Sequence, residues 1–262
     1  MKKTLLTMGL IASLLSLTAC SAKSAHNAEA PAEEAKVVSS EEEDSFTTVH
    51  GTPVNLYCIK HGSVKIQIGE KWLYIDPVTD KVQPATDYTT MPKADYILVT
   101  HEHGDHLSKD AIDILKKEGT VILANEKSQV QLGEGQVIRN GESASLGKIA
   151  LQAVPAYNTT PGKEQLHPKG NGNGYILDFE GFKVYVSGDT EDIPELDGMK
   201  DIDVAFLCAN SPTMSIEQCI SAARRILPKV MIPYHLSQTD MAAIADGLKG
   251  TDIKVLLYPT LR

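Results

Sequence analysis

Three short β-rich runs, Val54 to Ile59, Val64 to Ile68 and Trp72 to Ile75, open the predicted folded region, and the second alternates strictly between apolar and polar residues.

 Short runs of this composition predict strands, and the turns His61-Gly62-Ser63 and Gly69-Glu70-Lys71 between them predict an antiparallel meander. Asp76-Pro77 closes it. Tyr96 to Thr100 is apolar almost throughout, as expected of a buried strand. From Ser108 to Lys117 the period lengthens: Leu107, Ala111, Ile114 and Leu115 share one helical face, and Ser108 suits the N-cap. Strand-like runs follow at Val121 to Ala124, Gln136 to Ile138, Ile149 to Val154, Tyr175 to Phe179 and Lys183 to Val186. The last third alternates: strands at Val204 to Leu207, Lys229 to Ile232 and Ile253 to Leu257 enclose helices over Ser215 to Leu227 and Thr239 to Leu248. Many strands with helices between them predict an α/β protein in which helices cover two sheets. No repeat recurs at a fixed period.

The residues ahead of this pattern have another character. Lys2 and Lys3 precede an apolar run from Leu5 to Leu17, which predicts an export signal over residues 1–19. Leu17-Thr18-Ala19-Cys20 resembles the lipobox of bacterial lipoproteins, and the resemblance implies a mature chain lipidated at Cys20 and anchored to a membrane of the cell envelope. Residues 20–45 are rich in Ala, Glu and Ser, with little apolar surface to bury, and predict an acidic flexible tether. That leaves residues 46–262 as one domain. The 262-residue chain has a net charge of −9 and no basic stripe, which argues against a nucleic-acid surface. Cys58, Cys208 and Cys219 have neither Cys-x-x-Cys spacing nor an even count, so they predict buried thiols rather than a metal site or a disulfide framework.

The chemistry is concentrated after the Tyr96 strand, in His101-Glu102-His103-Gly104-Asp105-His106. A spacing of two puts the imidazoles of His101 and His103 on the same side of an extended chain, and Gly104 permits the turn that brings Asp105 and His106 to a second position. Imidazole and carboxylate together suit Zn2+, with Mn2+ or Fe2+ as alternatives. Further candidate ligands stand at predicted strand ends: Asp189 in Ser187-Gly188-Asp189-Thr190, and His235 after Ile232-Pro233-Tyr234.

His-x-His-x-Asp-His after a hydrophobic strand resembles the signature of the metallo-β-lactamase-fold hydrolases. The resemblance extends from Val54 to the C-terminus and implies their four-layer αββα sandwich. It further implies two divalent ions, one held by His101, His103 and His167, the other by Asp105, His106 and His235, with Asp189 and a hydroxide bridging them. Asp105 then doubles as the catalytic carboxylate that orients the water or accepts its proton. Relatives often carry a His directly after the strand matched by Ile149 to Val154, but Pro155-Ala156-Tyr157-Asn158 stands here. A branch with Ala-Tyr-Asn followed by His-Pro-Lys-Gly resembles this stretch and implies His167 as the ligand, with Asn158 or water as the other occupant of that position.

His61 resembles the Gly-His-Ala type turn of the family, which suggests a place beside the ligands, although a lone His also fits a structural role. Lys169 and Tyr234 are candidate substrate contacts for an anionic group. Asn210-Ser211-Pro212-Thr213-Met214 and the helix after it are similar to the branch containing ascorbate 6-phosphate lactonase. The activity implied is hydrolysis of an ester, lactone or phosphodiester of a small molecule by the bridging hydroxide. The contrasting expectation is a lipid-anchored metal-binding or scaffold protein that keeps the fold without turnover.

Overall fold

A computed structural model describes residues 36–37 and 44–262. The export signal, Cys20 and most of the acidic tether lie outside the described residues. In chain order the strands are β1 Lys36–Val37, β2 Asp44–Thr47, β3 Pro53–Lys60, β4 Ser63–Ile68, β5 Lys71–Ile75, β6 Tyr96–Val99, β7 Val121–Ala124, β8 Gln136–Val137, β9 Ser143–Leu146, β10 Ile149–Ala156, β11 Gly172–Phe179, β12 Phe182–Val186, β13 Val204–Cys208, β14 Val230–Tyr234 and β15 Lys254–Leu257. The helices are α1 Lys109–Leu115, α2 Glu126–Leu132, α3 Ile216–Ile226 and α4 Met241–Gly247.

The strands form two mixed sheets, ordered β2-β3-β4-β5-β6-β7-β8 and β1-β15-β14-β13-β12-β11-β10-β9. In the first sheet, side chains alternate between two apolar layers, as the pleat requires. Leu73, Ile75, Leu98 and Leu123 face the second sheet and join Leu151, Leu177, Val184 and Val186 in one core. Tyr74, Ile97, Val99 and Ala124 face the other way and pack with Ala111, Ile112, Leu115 and Leu132 of α1 and α2. On the second sheet β13 and β14 are buried at every residue, as parallel strands covered on both faces are. Their cover includes Cys219, Ala222, Ala223 and Ile226 of α3, which packs against α4. The result is the expected αββα layering.

Local signals explain the helix starts. Ser108 Oγ accepts from Ala111 N–H at the start of α1, and Ser215 and Gln218 form a reciprocal capping box at the start of α3. Elements the sequence pattern did not predict have weak patterns. Helix α2 presents few buried residues, Ser128 and Leu132, and leaves Val130 at 74% exposure, so no apolar stripe marks it. Strand β9, Ser-Ala-Ser-Leu, lacks β-branched residues and is recruited by pairing with β10. Strand structure also begins earlier than the predicted boundary at residue 46. Lys36 and Val37 pair in parallel with Leu256 and Leu257, and Asp44 pairs with Leu56, so parts of the predicted tether are sheet edges. Pairing to an available edge supplies backbone hydrogen bonds that composition does not reveal.

Candidate metal centre

The predicted ligands all hang from strand ends on one rim of the sandwich. The loop after β6 carries His101, His103, Asp105 and His106; the β10–β11 connection carries His167; Asp189 follows β12 and His235 follows β14. Such loops at the carboxyl ends of strands can present chemistry while the sheets keep their hydrogen bonds. Gly188 is needed for this: its φ is +61°, and a Cβ there would lie 2.6 Å from the Asn173 carbonyl oxygen. A side chain at that position would collide with β11 and displace Asp189.

The structure brings the seven residues together in overlapping groups. His101, His103 and His167 form one; Asp105, His106 and His235 form a second, which His61 joins. Asp189 lies between them. Its Oδ2 is 3.2 Å from His167 Nε2 and 3.9 Å from His101 Nε2, while its Oδ1 is 3.3 Å from His106 Nε2 and 3.5 Å from His235 Nε2. Asp105 Oδ2 stands 3.5 Å from His235 Nε2 and 4.0 Å from His106 Nε2.

Second partners fix the rings. Asp76, fully buried at the end of β5, accepts from His106 Nδ1 at 2.7 Å, from Thr100 Oγ1 at 2.6 Å and from Thr100 N–H at 2.7 Å. Thr100 Oγ1 in turn lies 3.0 Å from His101 Nδ1. One carboxylate therefore sets two rings, leaving Nε2 of each turned toward the centre. Asn158 Oδ1 lies 2.5 Å from His167 Nδ1, and its amide donates to the Thr213 carbonyl at 3.1 Å. Asn158 thus orients His167. Glu191 accepts from Thr159 N–H and Thr160 N–H, both at 2.7 Å, and holds the segment that carries Asn158. Glu102 accepts from Asn171 at 3.0 Å and Asn125 at 3.2 Å and pairs with Lys127, tying the His101 loop to the chain beyond His167.

The charges are mutually dependent. Burial, reinforced by the neighbouring His106, holds His101 well below the ordinary histidine range. For His106 burial acts the same way but is outweighed by Asp189 and Asp76, which raise it. Burial pushes the Asp105 carboxyl up, yet the neighbouring His235 and His61 imidazoles overcome it and hold the group far below the usual carboxylate range. Asp189 is likewise lowered against burial, chiefly by His235 and His106.

These residues fit divalent cations on a structural criterion. His106 Nε2, His167 Nε2, His235 Nε2 and Asp189 Oδ1 are buried without a hydrogen-bond partner. Buried polar atoms ordinarily have partners, so four such atoms converging from four chain segments mark a site for a ligand. Nitrogen and carboxylate donors with ordered remote partners suit zinc and its first-row neighbours.

Other sequence-based expectations require correction or addition. Tyr234 does not meet substrate: it is 0% exposed, packed edge-on against Phe206. Its place as the last residue of β14 turns it inward, on the opposite side of the chain from His235. The Lys169 ammonium is held by Glu195 at 2.8 Å and Tyr157 OH at 3.0 Å. Asp76 carried no recognised signal beyond Asp-Pro at a strand end, and only the three-dimensional arrangement identifies its role.

The family model for the β-lactamase superfamily domain matches residues 71–236. A UPF0173 metal-dependent hydrolase from Roseobacter denitrificans is 33% identical over 212 residues, covering 74% of this chain and 92% of the relative. Another, from Archaeoglobus fulgidus, is 32% identical and covers 63% of this chain and 79% of its own length. Among solved structures, a protein from Parabacteroides distasonis assigned as a metal-dependent hydrolase is 47% identical, with a TM-score of 0.79, over 82% of this chain and 97% of that one. Igni18, a metallo hydrolase from Ignicoccus hospitalis, shares the fold at 22% identity and a TM-score of 0.64, over 80% of this chain and 96% of its own. With its two mixed sheets, its converging His and Asp donors and these relatives, the chain belongs to the metallo-β-lactamase-fold UPF0173 family of metal-dependent hydrolases.

Proposed function

We propose that this chain is a two-cation hydrolase of small, anionic ester, lactone or phosphodiester substrates. The observation that carries the proposal is the position of Asp189, whose two oxygens face separate groups of imidazoles, Oδ2 toward His167 and His101, Oδ1 toward His106 and His235. His101, His103 and His167 would hold one ion, Asp105, His106 and His235 the other, with Asp189 shared. When bound, the ions, best suited as Zn2+ with Mn2+ or Fe2+ as alternatives, supply an acidified water and an electrophilic seat for a carbonyl or phosphoryl oxygen.

The chain's own groups supply the rest. Asp105 is held ionised, and its side chain is 40% exposed, so it faces both the ligand atoms and the solvent side of the rim. There it can orient a water or accept its proton. His103 is exposed while His101, His106, His167 and His235 are buried, which supports the His103 side as the approach for substrate. The segment Asn210-Ser211-Pro212-Thr213-Met214 and the helix after it support a place in the branch resembling ascorbate 6-phosphate lactonase.

Elemental analysis with a panel of phosphodiesters and lactones tests the reading. Two ions per chain and metal-dependent turnover of one class are expected, with Asp189→Ala reducing the metal content. Two ions retained without Asp189, or no hydrolysis with any of the three metals, would refute it. The lipobox resemblance supports attachment to the cell envelope through Cys20. Cys20→Ala should then release the mature protein from lipid attachment, and an unmodified Cys20 in the mature wild-type protein, read by mass spectrometry, would exclude the anchor.

A further inference from the structure

We propose that the His61-Gly62 turn positions the second cation site, with His61 acting as a hydrogen-bond donor to Asp105 rather than as a metal ligand. The inference rests on the reading above, in which Asp105, His106 and His235 hold a cation. Contacts to three other residues meet at this turn between β3 and β4. His61 Nε2 lies 3.2 Å from Asp105 Oδ2. The His61 ring is 3.7 Å from the His235 ring, centroid to centroid, and the His61 carbonyl accepts His235 N–H at 3.0 Å. At Gly62 a Cβ would lie 2.8 Å from His106 Cε1, so only glycine lets the turn approach that ring. Asp105, His106 and His235 are thus all touched by two consecutive residues.

The turn is also shaped for this contact. His61 has φ +46°, a left-handed conformation uncommon for a residue with a side chain. It lies between two strands of the first sheet, whereas His235 follows β14 of the second, so the turn joins the two halves of the site.

Hydrogen bonding separates the role of a donor from that of a ligand. A ligating imidazole ordinarily donates its remote N–H to a fixed partner. His106 Nδ1 has Asp76, His101 Nδ1 has Thr100 and His167 Nδ1 has Asn158. His61 Nδ1 is buried with no partner. If Nε2 bound a cation, the ring proton would reside on Nδ1 as a buried N–H with nowhere to donate, an arrangement that native proteins avoid. With the proton on Nε2, it is donated to Asp105, and Nδ1 is left only as an unmet acceptor. Accepting that proton fixes the direction of the Asp105 carboxylate and keeps its other lone pairs for the cation.

The test compares the full-length protein with His61→Ala and His61→Gln, whose amide can donate at the Nε2 position. Zn2+ affinities are read by chelator competition, and the ligand set by visible absorption of the Co2+ form. The expected result is that Ala weakens one of two ions about 10- to 100-fold and Gln returns it to within about three-fold of wild type. The Gln variant should also keep the wild-type Co2+ spectrum. Gln losing the ion as completely as Ala, with an altered spectrum, would make His61 a ligand and overturn the inference. Wild-type affinity in the Ala variant would overturn it as well. If Ala prevents folding, judged by circular dichroism, the Gln variant alone decides. A wild-type protein that binds one ion refutes the two-cation reading, whereas two ions in the wild type with either contrary variant result refute only the role of His61.

Discussion

Replacing Asp76 by Asn keeps the size of a buried side chain and reverses the polarity of one of its edges. Asp76 Oδ1 accepts Thr100 N–H, and the Asn carbonyl can do the same. The other oxygen accepts from both Thr100 Oγ1 and His106 Nδ1, and an amide NH2 there meets two donors. The least costly relief moves the His106 proton from Nδ1 to Nε2, the atom 3.3 Å from Asp189 Oδ1. That proton occupies the lone pair a cation needs. Loss of such an orienting partner weakens metal binding about 10- to 100-fold, equivalent to about 1.4–2.8 kcal/mol. Asp76→Ala differs because it strands Thr100 N–H, Thr100 Oγ–H and His106 Nδ1–H together, at roughly 1–3 kcal/mol for each buried donor. Denaturant unfolding of metal-free protein and chelator competition for Zn2+ separate the effects. The Asn variant should lose affinity for one ion while remaining clearly more stable than the Ala variant. An Asn variant that binds both ions with parental affinity would refute the tautomer argument, as would equal stability of the two variants.

Other substitutions probe other supports. Gly188→Ala should destabilise the fold by about 2 kcal/mol or more, because the new Cβ meets the Asn173 carbonyl oxygen in a left-handed backbone; denaturant unfolding within about 0.5 kcal/mol of wild type would show that the backbone relaxes freely. His167→Ala should abolish tight binding at the first position, whereas Asn158→Ala, which removes only the orienting oxygen, should weaken it about tenfold by chelator competition. The reverse ranking would make Asn158 the ligand. Asp95 is depressed: burial pushes it up, but Trp72 N–H and the Lys71 and Lys117 ammonium groups outweigh this. Its folded-state pKa is below the unfolded value of about 3.9, so its contribution is present above that pH and fades as pH falls through the folded value. Asp95→Asn should lower stability at neutral pH and flatten the acid limb of unfolding below about pH 4, and an unchanged limb would remove Asp95 from that transition.

The parts of this centre legible in the sequence are those whose signal is local. His101, His103, Asp105 and His106 stand within six positions after an apolar strand, and no ordinary turn needs that set of side chains. Asp189 and His235 become legible only once the first motif supplies a reason for ligands at later strand ends. His61 and Asp76 are different. Asp76 looks like an ordinary turn residue and His61 stands out only through its likeness to a family turn; the role of each lies in contacts to residues far along the chain, Asp105 and His235 for His61, Thr100 and His106 for Asp76. The fold follows the same rule. Strands with strong alternation were legible, while β9 and β1, which depend on a neighbour's edge, were not. Tyr234 shows how position misleads: adjacency to His235 in sequence suggested the site, but neighbouring residues at a strand end point to opposite sides.

The distribution of donors over strand ends gives the centre an order of birth. A chain is made from its N-terminus, so the His101 to His106 loop is synthesised long before His167 and Asp189, and His235 emerges last, after β14, the penultimate strand. A nascent or truncated product that stops before β14 carries most of the candidate donors but lacks the last imidazole, His235. A complete set of candidate donors therefore requires that synthesis has reached the last strands and that both sheets have docked. A cell that degraded the incompletely assembled form would be sorting finished molecules from unfinished ones by the same atoms that converge at this rim.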